Sequence, residues 1–487
     1  MDKRLTILRN ILSLQIAQIL TKVISITFVA FAARYFGTRG FGQWSLVFLF
    51  LAFFGILSDF GLDTLTVRDV ARDYSRSEKY LRNILGIKLI SSIFISIMLI
   101  LFVHAVGYRG EILGLFYAGI PILIFSTLSG PFVSVLKAKE RMDITSGIEV
   151  IFGFLPSATG LLFIWLGFGI KLIMLVFAFW NGMRLLILMW IVRRHVPVFR
   201  PELDVVFCRK IFRDALFFLI LGLIMMIHIR VDFFMLSKMV GDESVGIYAA
   251  PYKILEHIAM VGVLINVAMQ PTISALYVRA RQQLVLVYEK LQKVFLTIAL
   301  PVFSVLIIYH REITLFFFGP QYQESIRVLF ILSWACGILF FTTPMRVVIL
   351  QSNLLSTFAP VVALNMLLNV ILNFIFIPKY QHIGAAWISL NSTVIDLFIR
   401  IYFVRRVLMH KVDYLKMMPR PLLALSTMLV CIYLLGDFYI PVKVAVSLIP
   451  YLLMLKWLGV YDPEEIERFV REPLSKIVHY VLGRRSG

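Results

Sequence analysis

Residues 11–44 read ILSLQIAQILTKVISITFVAFAARYFGTRGFGQW. The first part, 11–36, is predominantly apolar, and about 20 apolar residues suffice for a helix to cross the hydrocarbon core of a bilayer. Gly37 and Gly42 follow and indicate a turn, after which a second apolar run extends over 43–67. The stretch therefore predicts a transmembrane helical hairpin.

Similar apolar runs recur along the whole chain between short polar or basic turns. Of the 487 residues, 60% are hydrophobic and 16% are charged, whereas a soluble domain carries about 25% charged residues. This composition excludes a soluble enzyme, and the runs are longer than the strands of a membrane barrel, which alternate over about ten residues. We expect an all-α, polytopic membrane protein. Its fourteen spans are predicted at 11–36, 43–67, 84–106, 113–136, 144–166, 172–192, 214–237, 247–277, 294–309, 322–350, 357–376, 384–404, 421–436 and 442–459.

Lysine and arginine residues are distributed unevenly between alternate turns. If the amino end is cytoplasmic, the inside segments hold 31 of these cations and the outside turns hold seven. Cytoplasmic loops carry the excess of positive charge in membrane proteins. The sequence therefore predicts a multi-pass protein of the cytoplasmic membrane with both termini cytoplasmic. The net charge of +20 then faces anionic lipid, and we expect no nucleic-acid partner.

Three short stretches recur at a nearly constant spacing. The turn GTRGFGQW (37–44) is repeated as GDESVGIY (241–248), PFVSVL (131–136) as PMRVVI (344–349), and VRR (192–194) as VRR (404–406). The spacing indicates duplication of a six-helix unit. Because six is even, the copies share one orientation and are predicted to be parallel repeats that form two lobes around a central cavity.

The duplication predicts five regions. They are an N-terminal lobe over 1–192 (spans one to six), a cytoplasmic inter-lobe linker over 193–213, a C-terminal lobe over 214–410 (spans seven to twelve), spans thirteen and fourteen over 411–460, and a cytoplasmic amphipathic tail over 461–487. A helix on the cytoplasmic leaflet and a solvated tail both fit the last region.

Four stretches resemble one known family. They are NILSLQIAQILTK with FAARYFGTRGFGQWSL (10–46), SDFGLDTLTVRD (58–69), RVDFFMLSKMVGDESVGIYAAPYKILE (230–256) and LNVILNFIFIPKYQHIGAAWISL (368–390). They are similar to the polysaccharide transporter family of the multidrug/oligosaccharidyl-lipid/polysaccharide exporter superfamily. Gln381 and His382 stand where that family usually has a glycine after the tyrosine.

The resemblance implies a flippase that moves a polyprenyl-pyrophosphate-linked oligosaccharide across the membrane by alternating access, in the synthesis of a cell-surface glycan. The implied partners are this lipid-linked oligosaccharide, membrane lipids, and a polysaccharide polymerase or glycosyltransferases. Two other functions stay open. A multidrug or cation antiporter of the same superfamily would have a more acidic cavity, and a non-transport scaffold of a glycan-assembly complex would need no charges at mid-bilayer.

Cations inside the predicted spans are the candidate substrate site, since each costs about 2.5–3.5 kcal/mol to insert at the centre of a helix. Phosphate groups favour two or more Lys or Arg donors. We therefore expect a cationic cavity that accepts pyrophosphate and sugar. Its candidate residues are Lys22, Arg34, Arg184, Arg230, Lys253 and Arg346. Snorkelling of the side chain is the alternative for Arg34, Lys253 and Arg346, which lie near helix ends.

Acidic residues and one histidine inside the spans are candidates for a coupling-ion site or for ion pairs. They are Glu149, His228, Asp232, Glu256 and Asp396. His228 and Asp232 are four residues apart and share a helix face, which fits a proton or sodium site, or an ion pair of Asp232 with a cation. Lys253 and Glu256 are spaced to neutralise each other.

No motif of a hydrolase, a nucleotide-binding loop or a metal cluster occurs in the sequence. We therefore expect no enzyme, no metal site and no cofactor apart from a coupling Na⁺ or H⁺. Asn365, Asn369 and Asn373 form a polar stripe that fits either sugar hydroxyls or hydrogen bonds between helices.

Overall fold

The computed structural model describes the backbone of residues 3–194 and 200–460, together with most side chains from residue 17 onward. The described part consists of helices and turns, without a β-strand. The helices are α1 (Lys3–Asp59), α2 (Leu62–Arg72), α3 (Ser77–Ala105), α4 (Glu111–Ala138), α5 (Met142–Trp165), α6 (Ile170–Arg193), α7 (Val205–Met239), α8 (Asp242–Arg279), α9 (Arg281–Ile308), α10 (His310–Phe318), α11 (Ser325–Leu350), α12 (Leu355–Leu408), α13 (Tyr414–Met417), α14 (Pro419–Leu434) and α15 (Ile440–Trp457). Short 3₁₀ turns lie at Tyr74–Arg76 and Pro320–Tyr322.

Two of these helices fold back on themselves. In α1 the backbone turns at Gly37 (φ 70°), and the rings of Phe28 and Trp44 are 5.9 Å apart, although a straight helix would separate them by about 24 Å. In α12 the turn lies at Gln381 (φ 51°), so that Asn365 Nδ2 donates a hydrogen bond to the carbonyl of Ser392 at 3.0 Å. Each therefore contains two antiparallel spans.

With both halves of α1 and α12 counted separately, helices account for all fourteen predicted spans. Ten helical segments of the described chain, some of them double, are long and apolar enough to cross a membrane. The prediction of an all-α, polytopic membrane protein is confirmed.

The second predicted span is shorter than expected. We expected the helix to continue to residue 67, but it ends at Asp59, and α2 begins at Leu62 as a separate helix. Gly61 adopts a left-handed conformation (φ 77°), which glycine takes without steric cost. The Asp59 carboxylate accepts hydrogen bonds from the backbone N–H groups of Gly61 and Asp63 and so holds the break.

The turns meet at two ends of the bundle, as the alternation of charge predicts. At the outer end, which we define by the turns predicted to be outside, Lys238 Nζ donates to the carbonyl of Val106 at 2.9 Å. Ser244 lies 3.2 Å from His382 at the same end. At the opposite, inner end Tyr288 and Tyr414 share a hydrogen bond of 2.9 Å. Which end is cytoplasmic stays a prediction.

The segment before α7 is bound to the N-terminal lobe. Lys79 pairs with Asp204 at 3.1 Å and Arg82 with Glu202 at 3.0 Å. The hydrogen bond from the backbone N–H of Phe207, together with Lys79, lowers the pKa of Asp204 below its usual value. The predicted linker is thus partly docked on α3. Its residues 195–199, and the predicted tail over 461–487, lie outside the described residues.

Helix α7 packs on both lobes. Near its beginning, the ring of Phe212 lies 4.9 Å from that of Phe60, in the N-terminal lobe. Near its end, Asp232 accepts a hydrogen bond from Tyr248 of α8, in the C-terminal lobe. Helices α14 and α15 lie beside this lobe, and Tyr451 donates to the Thr297 carbonyl of α9 at 2.7 Å.

Candidate functional site

Three charged side chains meet where α7 faces α8. Arg230 Nη2 contacts Glu256 Oε1, and Lys253 Nζ lies 2.8 Å from Glu256 Oε2. The guanidinium also lies 5.4 Å from the ring centre of Phe233 and 4.9 Å from that of Tyr252, where the faces of aromatic rings attract cations. One carboxylate therefore balances two cations.

Lys22 of α1 interacts electrostatically with His257 of α8, and His257 Nδ1 lies 2.7 Å from the carbonyl of Lys253. We call Lys22, Arg230, Lys253, Glu256 and His257 the basic cluster. With a neutral histidine its net charge is +2. Between a fifth and a third of each side chain in the Arg230–Glu256–Lys253 group is exposed, so a ligand can reach the charges.

The remaining candidate cations have their charged neighbours elsewhere. Arg184 of α6 interacts with Glu149 of α5. Arg346 of α11 interacts with Asp396, whose carboxylate pairs with Arg400 at 2.5 Å. These residues form one charge group in each lobe, apart from the basic cluster.

Arg34 lies at the outer end, about 18 Å along α1 from Lys22. Its Nε donates to the carbonyl of Phe317 at 3.0 Å, and its Nη2 donates to that of Phe316. These carbonyls end α10, and a cation there complements both the free acceptors and the helix dipole. Arg34 therefore ties the first span to α10.

Asp232 is 5% exposed and belongs to a polar site in the C-terminal lobe. Its carboxylate accepts hydrogen bonds from Tyr248 at 2.5 Å and from Ser389 at 3.4 Å. Among the described side chains no cation forms an ion pair with it, while the His228 side chain lies outside the described residues. Asp232 is therefore held by two hydroxyl groups and by the backbone N–H of Phe233, which donates to its carboxylate at 2.9 Å.

A cavity of about 170 Å³ lies beside Asp232. Its polar lining residues are Asp232, Glu256, Asn369, Ser389, Ser392 and Thr393. Glu256 thus borders both this cavity and the basic cluster. In the asparagine stripe, Asn369 lines the cavity. Asn365 donates a hydrogen bond to the Ser392 carbonyl, and Asn373 donates one to the side-chain oxygen of Asn369.

The lobes touch at the outer end through the two repeated glycine turns. A Cβ atom on Gly42 would lie 1.9 Å from the carbonyl oxygen of Asp242, and one on Gly246 would lie 1.8 Å from that of Thr38. The two close approaches fall at equivalent positions of 37–44 and 241–248, where the predicted repeat aligns these stretches. Only glycine fits at either position, so the backbones of the two turns pack directly against each other.

Sequence reasoning missed one buried charge group. Lys88 is wholly buried in the N-terminal lobe, and its Nζ lies 2.7 Å from both Asp59 and Asp63. A Cβ atom on Gly130 of α4 would lie 2.0 Å from the Asp63 carboxylate, so this glycine makes room for the group. The signal was charge of both signs inside neighbouring predicted spans, at SDFGLD and at Lys88.

The family model of polysaccharide biosynthesis proteins matches residues 7–277, more than half of the chain. The chain belongs to this family. It is 22% identical over 331 residues to a protein of Shigella flexneri named "Putative O-antigen transporter", over 64% of this chain and 76% of that protein. The recognition made from the sequence is confirmed.

Solved structures share the fold of this family member. A lipid II flippase, MurJ, in an inward closed conformation aligns with a TM-score of 0.73 at 15% identity, over 92% of this chain and 99% of that one. An inward-facing multidrug resistance transporter of the MATE family aligns with a TM-score of 0.56 at 13% identity, over 80% and 95% of the two chains. The names of these relatives are those of transporters and a flippase, in agreement with the prediction that the chain is not an enzyme.

Proposed function

We propose that the chain is a flippase for an oligosaccharide linked to a polyprenyl pyrophosphate, which it moves across the cytoplasmic membrane by alternating access for the synthesis of a surface glycan. The observation that carries this proposal is the basic cluster, where Arg230 and Lys253 share the single carboxylate of Glu256. A pyrophosphate matches this surplus because each phosphoryl group accepts several charge-assisted hydrogen bonds from Lys and Arg.

The pyrophosphate takes the place of the Glu256 carboxylate. In the present arrangement Glu256 neutralises part of the charge of Arg230 and Lys253, which lowers the cost of holding them inside the protein. An entering pyrophosphate provides the same kind of acceptor with more negative charge. Binding is therefore an exchange of anions, and Arg230 and Lys253 keep the same arrangement with and without substrate.

The position of the glycine contact supports alternating access. With Gly42 and Gly246 packed against the opposite lobe, we propose that the basic cluster is reached from the inner end. Separation of these glycine turns, while the inner ends of the lobes approach, exposes the cluster to the outer end. The hydrogen bonds of Arg34 at the outer end break in this step.

The coupling ion, Na⁺ or H⁺, occupies the cavity beside Asp232. This proposal rests on the buried carboxylate, with which no cation of the described side chains forms a direct ion pair, and on the hydroxyl and amide oxygens that line the cavity. Because Glu256 borders both sites, a cation there attracts Glu256 away from the basic cluster and favours binding of the pyrophosphate. Dependence of transport on a sodium or proton gradient, lost in Asp232→Asn, tests this step, and equal gradient dependence of the variant would refute it.

The charge of the cluster also separates this function from the two others. A cationic drug would be repelled by a net charge of +2, and a scaffold has no use for a surplus of cations between its lobes. The polymerase and glycosyltransferase partners remain part of the proposal, and co-purification of the full chain with such enzymes from its own membranes tests them.

The central test measures surface glycan and accumulated lipid-linked intermediates in cells that carry variants of the chain. Lys22→Gln and Arg230→Gln remove charge and should lose most export, whereas Lys22→Arg and Arg230→Lys should keep much of it. Arg109→Gln, in an exposed outer turn, is the matched control. Export at the wild-type rate by well-expressed Lys22→Gln and Arg230→Gln proteins would exclude the basic cluster as the substrate site.

Orientation is tested separately. We propose that both termini and the 193–213 segment are cytoplasmic. In a chain without its native cysteines, Lys171→Cys should react with an impermeant thiol reagent in intact cells and Arg200→Cys should not. The reverse pattern would invert the proposed direction of transport.

A further inference from the structure

One face of α12 carries exposed apolar side chains, and cations follow them at the end of the helix. Phe398 is 65% exposed and Tyr402 is 56% exposed, and Arg406 follows one turn later. The three residues are spaced by four, so they share one face of the helix. Exposed apolar side chains on a spanning helix face acyl chains, and the cations lie where the lipid headgroups begin.

The cationic end of this face forms a pocket of about 580 Å³. Its lining residues are Tyr402, Arg405, Arg406, Met409, His410 and Lys411. The chain turns sharply at Met409, which ends α12 in a left-handed conformation (φ 52°), and this turn brings His410 and Lys411 beside the arginines. No acidic residue of the described chain lines the pocket.

Neighbouring residues add to the positive charge. Arg281 of α9 donates to the Met409 sulfur at 3.0 Å, which places another cation at the rim. The acid nearby, Asp413, interacts with Lys411 and pairs with Lys416 at 3.4 Å. The guanidinium of Arg406 lies 5.8 Å from the centre of the Tyr402 ring, which orients its planar donors. Two adjacent arginines with planar donor groups suit a phosphodiester.

We propose that this pocket binds the phosphate headgroup of an anionic phospholipid, with the acyl chains along Phe398 and Tyr402. The arginines neutralise the phosphodiester, and the further cations favour a headgroup with net negative charge over a zwitterionic one. Basic pockets between helices at the membrane surface bind anionic headgroups on this principle. The site is separate from the basic cluster and does not depend on the substrate of the transporter.

The internal repeat supplies a matched control. Leu186, Trp190 and Arg194 correspond to Phe398, Tyr402 and Arg406 at a spacing of 212 residues. Leu186 and Trp190 are each 59% exposed, and the Arg194 guanidinium lies 3.9 Å from the centre of the Trp190 indole. Replacement of Arg193 and Arg194 by Gln therefore removes the same charge, at the same end of the bundle, from the other lobe.

The experiment titrates the purified full-length protein, in phosphatidylcholine nanodiscs, with fluorescent phosphatidylglycerol and measures energy transfer from the tryptophans. We expect the double variant R405Q/R406Q to bind phosphatidylglycerol on the order of tenfold more weakly, since each cation near the membrane surface raises the affinity for an anionic lipid several-fold. R193Q/R194Q should lose much less. H410Q/K411Q, which changes residues beyond the end of α12, should show an intermediate loss.

Three results would overturn the proposal. Equal losses in the two arginine variants would mean a general attraction to positive charge, and unchanged affinity in R405Q/R406Q would mean that no site exists. Full competition by millimolar inorganic phosphate would assign the pocket to a free anion instead of a lipid. Circular dichroism and gel filtration establish folding. If R405Q/R406Q does not fold, the proposal is tested by H410Q/K411Q, which should bind phosphatidylglycerol more weakly than R193Q/R194Q does; equal affinities would overturn it.

Discussion

The two predicted lobes hold opposite surpluses of charge inside their spans. In the N-terminal lobe one cation, Lys88, lies between two carboxylates, those of Asp59 and Asp63. In the C-terminal lobe two cations, Arg230 and Lys253, share the single carboxylate of Glu256. The first group is held by a wholly buried lysine, whereas each member of the second is partly exposed.

This difference distinguishes a structural ion group from a binding site. The extra negative charge around Lys88 is balanced within the fold. The Asp59 carboxylate also accepts hydrogen bonds from backbone N–H groups at the beginning of α2, where the helix dipole is positive. Around Glu256 no second carboxylate of the described side chains lies within ion-pair distance of Arg230 or Lys253. A surplus that the fold does not neutralise is available to a ligand.

The largest expected effect is on the N-terminal group. Lys88→Met leaves two half-buried carboxylates without their cation, and we expect it to lower the free energy of unfolding by about 3 kcal/mol and to reduce the amount of protein in the membrane. The measurement is thermal unfolding of the purified protein, with Lys171→Met in an exposed turn as the control. Adding Asp59→Asn and Asp63→Asn should restore much of the loss; if Lys88→Met alone unfolds like the wild type, the group is not structural.

Variants of the glycine contact at the outer end test whether the two lobes contribute equally to it. Gly42→Ala and Gly246→Ala each place a methyl group within 2 Å of a backbone oxygen of the opposite lobe, and overpacking of this kind costs about 1–3 kcal/mol. We expect both variants to populate the separated outer end to a similar extent. The yield of a disulfide between Thr38→Cys and Glu243→Cys, residues now 3.1 Å apart through their side-chain oxygens, should fall in both.

Two glycines with open surroundings provide the control for this contact. A Cβ atom on Gly147 or Gly169 meets nothing within 4 Å, so Gly147→Ala and Gly169→Ala should leave the disulfide yield unchanged. A fall in only one of the two outer variants would contradict the symmetric contact.

The smallest effect is expected in the C-terminal group. Glu256→Gln removes the internal anion that competes with a ligand, so a short-chain polyprenyl pyrophosphate should bind a few-fold more tightly. Calorimetric titration of the purified protein measures the affinity. The control is Glu149→Gln, since Glu149 lies 3.9 Å from Lys137 in the other lobe, and this variant should bind the polyprenyl pyrophosphate as the wild type does. Weaker binding by Glu256→Gln would show that the carboxylate positions the cations instead of competing for them.

Much of the fold could be predicted because its signals are local. A run of apolar residues predicts a spanning helix without knowledge of its neighbours, and the alternation of cations predicts which turns share an end. The break between α1 and α2 was missed because hydropathy does not register a single glycine in a left-handed conformation, although Gly61 and the capping Asp59 were its visible signs.

The candidate site could be predicted only in part. Lys22, Arg230, Lys253 and Glu256 stood out as charges inside spans. The structure joins Arg230 and Lys253 to Glu256, and Lys22 interacts with the neighbouring His257. Arg34, Arg184 and Arg346 gave the same signal, yet their neighbours are the end of α10, Glu149 and Asp396. Hydropathy gives the depth of a charge in the membrane but not the direction of its side chain around the helix axis.

The sequence by itself therefore determined the class of protein and the family, because apolar length and family motifs are written along the chain, while the duplication stays a prediction from the repeated stretches. The tertiary structure decided which charges meet, since ion pairs such as Lys88 with Asp59 and Asp63 join helices that are neighbours only after packing. It also decided the role of the repeated glycines. Two similar turns in the sequence become one contact between lobes, because only the folded chain brings Gly42 and Gly246 within reach of each other's backbone.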